Sequence, residues 1–316
     1  MSRRGFALTA SAVLPAMLAR CQTRSEASPA PSGSARPAPG SPAAALSPNA
    51  RTRLEEWTFD GPPSTRTAVL VPTHGAPDAR FPVLIALHGR GEARKSPAEG
   101  ALGWPRDYAL SRAIDRVSAP PLGPVDFEGN VDAIRLAYLN RRLTERPFGG
   151  LIVACPYVPD LDLADDEGIS AFGRFLTTVL LPRLRRETPA LPSPAATGID
   201  GVSLGGALSL AIGLDSASSF GAVGTLQPAI DAHDAPRWTA RAEAARRANP
   251  ALAIRLLTSD GDYFREAVRT TSSAFAAAGV VHDFDVVVGP HDYPFNRGPG
   301  AIEMLTWQDR ALSRHA

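Results

Sequence analysis

The sequence predicts an α/β protein with a mostly parallel central sheet flanked by helices. Two observations carry that expectation. Short apolar runs such as Pro82-Val83-Leu84-Ile85-Ala86-Leu87 are hydrophobic at nearly every position, as a strand covered on both faces must be. Such runs alternate with longer amphipathic stretches through the C-terminal half, the pattern that joins parallel strands by crossover helices. The 316 residues are 44% hydrophobic, enough to bury a substantial core.

In chain order, residues 1–21 read as an export signal. Arg3 and Arg4 precede an apolar run from Phe6 to Ala19, and Ser2-Arg3-Arg4-Gly5-Phe6-Ala7-Leu8 is similar to a twin-arginine motif. Leu18-Ala19-Arg20-Cys21 resembles a bacterial lipobox, with Arg20 where a small residue is usual; lipidation of Cys21 would tether the chain to a membrane. The alternative is cleavage near Ala27 by the ordinary signal peptidase. Either way the expected location is periplasmic or extracellular. Residues 22–50 are Pro, Ala, Ser and Gly-rich with six prolines and no aromatic residue, so they are expected to form a disordered tether.

Residues 51–316 are the predicted folded domain. Leu54 to Phe59 and Arg66 to Val71, parted by Gly61-Pro62-Pro63, read as a hairpin-like pair. Buried strands are expected at Pro82 to Leu87, Leu151 to Cys155, Thr197 to Val202, Ala222 to Leu226, Ala253 to Leu257 and Phe284 to Val288. Helical patterns lie at Ile169 to Arg186, Leu204 to Asp215, Pro236 to Ala248, Phe264 to Ala278 and Gly300 to Ser313. The stretch from Gly89 to Gly149 is longer than a crossover needs. It is read as an insertion over one end of the sheet, forming a lid or substrate wall, or else ordinary surface helices, one of them over Asn130 to Leu143. Trp104, Tyr108 and Phe127 in it are pocket-wall candidates, with local core residues as the plainer alternative.

Charge narrows the function classes. The chain carries 33 Lys plus Arg against 32 Asp plus Glu, a formal charge of +1 without a basic stripe, which argues against nucleic acid as the main partner. Residues 1–50 hold five arginines and one glutamate, so the remainder has 28 basic and 31 acidic residues, net −3. Lys95 is the only lysine. Two cysteines make no disulfide framework, and the run from Phe6 to Ala19 is shorter than the roughly 20 residues of a spanning helix, which excludes an ordinary polytopic membrane protein.

The chemistry is concentrated at strand ends. Gly201-Val202-Ser203-Leu204-Gly205 fits G-x-S-x-G, with a strand-like run before it and a helical one after. Ser203 therefore falls at a sharp strand-to-helix turn on the C-terminal edge of the sheet, where ligands bind in open α/β folds. A nucleophilic serine needs a base, and the base an orienting acid. Among six histidines, His291 directly follows the last strand and shares that edge, whereas His74, His88, His233, His282 and His315 lie elsewhere or serve the loops. The acid is Asp262 or Asp260, both after the strand from Ala253, with Asp262 preferred.

The order Ser203, Asp262, His291, with Leu87-His88-Gly89-Arg90-Gly91 after a buried strand and Gly289-Pro290-His291-Asp292 near the end, resembles the α/β-hydrolase superfamily. Within it the motifs are most similar to bacterial serine esterases of the enterochelin esterase and esterase D group. The resemblance covers residues 54 to 313. It implies an α/β-hydrolase fold with an insertion after the oxyanion-loop strand, and hydrolysis of a small-molecule carboxylic ester with no cofactor or metal. It further implies Ser203 as nucleophile, His291 as base and Asp262 as acid. The oxyanion hole would be the backbone N–H groups of Leu204 and of Arg90 or Gly91. A serine peptidase or acyltransferase would use the same triad, and a non-catalytic surface-binding module would keep only the scaffold.

Other patterns fail. Gly89 to Ser96 approaches a phosphate-binding loop, but Arg94 stands where glycine is required and Pro97 interrupts the opening helix. The acidic residues Asp160, Asp162, Asp165, Asp166 and Glu167 lack EF-hand spacing, and no His and Cys spacing suggests zinc. Cys155 reads as a small core residue.

Overall fold

The computed structural model describes residues 51–313. The export signal, Cys21, the tether and His315 lie outside the described residues. Eight strands form one sheet: β1 (Thr52–Thr58), β2 (Arg66–Pro72), β3 (Val83–Leu87), β4 (Ile152–Pro156), β5 (Thr197–Gly201), β6 (Ala222–Leu226), β7 (Ala253–Gly261) and β8 (Asp283–Pro290). Their spatial order is β1-β2-β4-β3-β5-β6-β7-β8, with β1 and β2 antiparallel to their neighbours and β3 through β8 all parallel.

Helices α1 (Arg90–Ala93), α2 (Pro97–Ala101), α3 (Leu110–Val117) and α4 (Ala133–Glu145) occupy the connection from β3 to β4. Next, α5 (Asp166–Phe175) runs through a π-helical turn, Leu176–Leu180, into α6 (Leu181–Glu187). The crossovers are α7 (Leu204–Asp215), α8 (Ala235–Ala248) and α9 (Arg265–Ala277), and the chain ends with the short α10 (Tyr293–Phe295) and with α11 (Ala301–Leu312).

Side chains alternate across each strand, so a uniformly apolar strand feeds two cores. Val83, Ile85 and Leu87 of β3 face a layer containing α5 through α9, while Leu84 and Ala86 face α3, α4 and α11. The central strands β3, β4, β5 and β6 are buried along their whole length. At the edges, β1 and β8 expose about half of their residues.

The body of the insertion packs into the second layer, the plainer of the two expectations, while Tyr108 and Asn130 reach the loops at the strand ends. Trp104, Tyr108 and Phe127 are each at most 2% exposed and pack with Leu84, Val153, α3 and α11. Their spacing carried no sign of this, because the surface they cover belongs to strands and to a helix distant in the chain. β7 also outruns its expected end at Leu257: the polar residues Thr258 to Gly261 continue pairing with β8 across an irregularity between Ser259 and Gly261. Asp260 is thereby held within the sheet, and Asp262 is the first residue beyond it.

Candidate active site

Because β3, β5, β7 and β8 run parallel, the residues just after them share one edge of the sheet. Ser203 follows β5 and Val202, with φ 79° and ψ −108°, a conformation that non-glycine residues rarely adopt and that strained functional turns often use. Two glycines let this turn form. A Cβ on Gly205 would lie 2.3 Å from the Leu87 carbonyl oxygen, and one on Gly201 2.7 Å from the same atom, so the elbow seats against the end of β3 only without side chains there.

The Ser203 hydroxyl lies 3.0 Å from His291 Nε2, and His291 Nδ1 lies 2.8 Å from Asp262 Oδ1. The carboxylate fixes the tautomer: Nδ1–H donates to Asp262, leaving Nε2 to accept from the serine hydroxyl. Asp262 is itself held, its side chain fully buried, with Oδ1 accepting from the Phe264 N–H at 3.0 Å and Oδ2 from the Thr258 hydroxyl at 2.6 Å. Asp260, the alternative acid, accepts from the Gly289 N–H at 2.9 Å and is spent on holding the two strands together. The Tyr263 ring lies 4.3 Å from the His291 ring, while the tyrosine remains 72% exposed, giving the edge an open aromatic surface.

On the other side of Ser203, Leu204 opens α7 and the Gly89-Arg90-Gly91 loop opens α1. His88 shapes that loop from beneath. Its Nε2 accepts from the Val158 N–H at 2.9 Å, so Nδ1 carries the proton and donates to the Gly89 carbonyl at 3.0 Å. Burial pushes its pKa down from 6.5 to about 4, which keeps the ring neutral. The Arg90 side chain turns away from the site to Asp160, 3.3 Å off.

Three residues that the sequence reading did not single out complete the surroundings. Gln227, buried after β6 at φ 45°, donates to the Ser259 hydroxyl at 2.6 Å and to the Pro290 carbonyl at 3.0 Å, bracing the loop that carries His291. Thr258 orients Asp262, and Glu92 joins two tyrosines beside the Arg90 loop. None belongs to a motif. A positive φ at a glutamine has no sequence signature, and the contacts of Glu92 span up to 201 positions.

The remaining candidates are used locally. Asp165 caps α5, Asp160 pairs with Arg90 and Arg94, and Asp166 pairs with Arg237. Cys155 is fully buried, and burial pushes its thiol pKa up. His233 bonds Asp231, and His282 bonds Ser272.

A family model described as "Putative esterase" matches residues 159–294, a span that includes Ser203, Asp262 and His291 and excludes the Arg90 loop. No curated protein matches. Among solved structures, a ferulic acid esterase superposes with TM-score 0.62 at 15% identity, covering 84% of this chain and 100% of its own. The fluorophosphonate-binding serine hydrolase F of Staphylococcus aureus gives 0.58 at 14% identity, covering 82% and 98%. An S-formylglutathione hydrolase from the same organism gives 0.55 at 13% identity, covering 82% and 99%. Identities this low speak to the fold, which is that of the α/β-hydrolases. The chain thus has the α/β-hydrolase fold, and its residues 159–294, less than half of it, are similar to the esterase family.

Proposed function

We propose that the chain is an exported serine esterase that cleaves a small or medium carboxylic ester through an acyl-enzyme on Ser203. The observation that carries this reading is the unbroken hydrogen-bond chain from the Ser203 hydroxyl through His291 to the buried Asp262 carboxylate. His291 Nε2 takes the hydroxyl proton as Ser203 Oγ attacks the ester carbonyl, and Asp262 stabilises the imidazolium that forms. The backbone N–H groups of Leu204 and of Arg90 or Gly91 hold the oxyanion, each worth about 10²–10³ in rate. His291 then protonates the departing alcohol, and water, activated by the same imidazole, releases the acid.

The test is turnover of p-nitrophenyl esters of increasing acyl length by the wild type and Ser203→Ala, with methyl ferulate as a further arm because one structural neighbour is a ferulic acid esterase. Activity that peaks at one acyl length and disappears in Ser203→Ala is expected. Turnover surviving in the variant would remove Ser203 from the chemistry.

Export belongs to the same reading, with residues 1–21 as the address and lipidated Cys21 as a membrane tether. Cell fractionation with radiolabelled palmitate separates the outcomes. Label lost in Cys21→Ser supports the tether, unlabelled protein in the periplasm or medium supports cleavage near Ala27, and protein confined to the cytoplasm overturns export.

A further inference from the structure

Glu92 takes no part in the steps above, yet its side chain is fully buried where the two loops beside Ser203 meet. A buried carboxyl group is costly unless donors converge on it, and here three do. The hydroxyls of Tyr108 and Tyr293 each donate to one of its oxygens, and Lys95 Nζ stands 3.5 Å away. Lys95, the only lysine in the sequence, is held in turn by Asp107 at 2.8 Å.

The partners of Glu92 lead to both sides of the site. Tyr108 accepts from the Gly89 N–H at 3.4 Å, so the carboxyl group reaches the loop before Arg90 through one phenol. Through the other it reaches Tyr293, two residues after His291 and the first residue of α10, a turn capped by Asp292 accepting from the Phe295 N–H. The surrounding chain leaves room for the arrangement. A Cβ on Gly91 would lie 3.0 Å from the Tyr293 hydroxyl, and one on Gly103 2.6 Å from Glu92 Cγ. Burial and the Glu92 hydrogen bond push the Tyr293 pKa up to about 12, keeping the phenol a donor across the neutral range.

We propose that Glu92 is a positioning residue: by tying Tyr108 to Tyr293 it fixes the Gly89–Gly91 loop against the His291 loop, so that oxyanion donors and imidazole keep one spacing about Ser203. This rests on the serine-esterase reading. The tie acts on the relative placement of groups that meet in the transition state. Loosening it therefore lowers kcat and leaves KM nearly unchanged, since misplacement by about 1 Å costs up to about 10²-fold.

The experiment measures kcat and KM on the preferred p-nitrophenyl ester for wild type, Ser203→Ala, Glu92→Gln, Tyr293→Phe and the double variant, alongside thermal melts. Tyr293→Phe and Glu92→Gln are each expected to lower kcat about 10- to 100-fold with KM within about threefold. The double variant should fall no further than the worse single one, because both remove the same tie. If Glu92→Gln does not fold, Tyr293→Phe still decides, since it removes one hydroxyl from a side chain that is 39% exposed. Wild-type kcat in a folded Tyr293→Phe, or a loss expressed in KM alone, would overturn this proposal. Absence of Ser203-dependent turnover in the wild type would instead overturn the esterase reading, and the proposal with it.

Discussion

The two sides of the site are built by different means. On the histidine side, Asp262 and His291 each stand immediately after adjacent parallel strands, and strand register brings them together, with Thr258 and Gln227 steadying the two loops. On the oxyanion side, the Gly89–Gly91 loop takes its position from residues elsewhere in the chain: Val158 on His88, Tyr108 on Gly89, and Tyr293 through Glu92. The first kind of construction depends on where elements begin and end. The second depends on which side chains meet after folding. Substitutions on the two sides should therefore differ in kind.

The largest effect is expected on the histidine side. Asp262→Asn leaves a neutral amide against His291 Nδ1 and lowers kcat about 10⁴-fold, because the imidazole loses both its tautomer and its counter-charge. The neighbouring Asp260→Asn is expected to leave kcat within a few-fold while lowering stability by about 1 kcal/mol, as its bond to the Gly289 N–H weakens. Steady-state kinetics and denaturant melts on the pair measure this directly. Equal losses of kcat would show that the acid role is shared.

This contrast also marks what the sequence made legible. The α/β class, the antiparallel pair at the start and the parallel run after it follow from apolar runs and their alternation, which are local properties. Ser203, Asp262 and His291 could be selected because each follows a strand, and parallel strands place such residues on one edge. Choosing Asp262 over Asp260 required more, since it turns on β7 continuing four residues past its apolar run. Glu92 and Gln227 were invisible because their roles consist of contacts across the fold, and Thr258 because its bond to Asp262 depends on how the chain turns at the end of β7. The insertion stayed open between wall and core for the same reason, as the buried positions of Trp104, Tyr108 and Phe127 are decided by distant partners.

The burial of Phe127 has an energetic test of intermediate size. Phe127 is 1% exposed, so Phe127→Ala should cost about 3–5 kcal/mol of stability through lost burial and the cavity left behind. KM for the preferred ester should stay within about twofold. A wall residue would behave in the opposite way, with KM raised at unchanged stability.

The smallest effect lies on the oxyanion side and is read through pH. Folded His88 resists protonation down to about pH 4, whereas an unfolded histidine takes up a proton near 6.5. Between those values the unfolded chain binds the extra proton, so the contribution of His88 is complete above pH 6.5 and declines as pH falls toward 4, by on the order of 3 kcal/mol. Asp309 works against this trend. Burial raises its pKa from 3.8 to about 6, so the folded state holds a proton that the unfolded chain has released, and this contribution is lost as pH rises through that interval. The net slope of the wild type mixes the two, and the difference between wild type and His88→Gln isolates the histidine. Glutamine can accept from the Val158 N–H but does not titrate, so the variant should be less stable at pH 7 and lose less on acidification to pH 4.5. Parallel stability curves for the two proteins across that range would mean that His88 is protonated equally in both states, and the neutral ring beneath the Gly89 carbonyl would have to be given up.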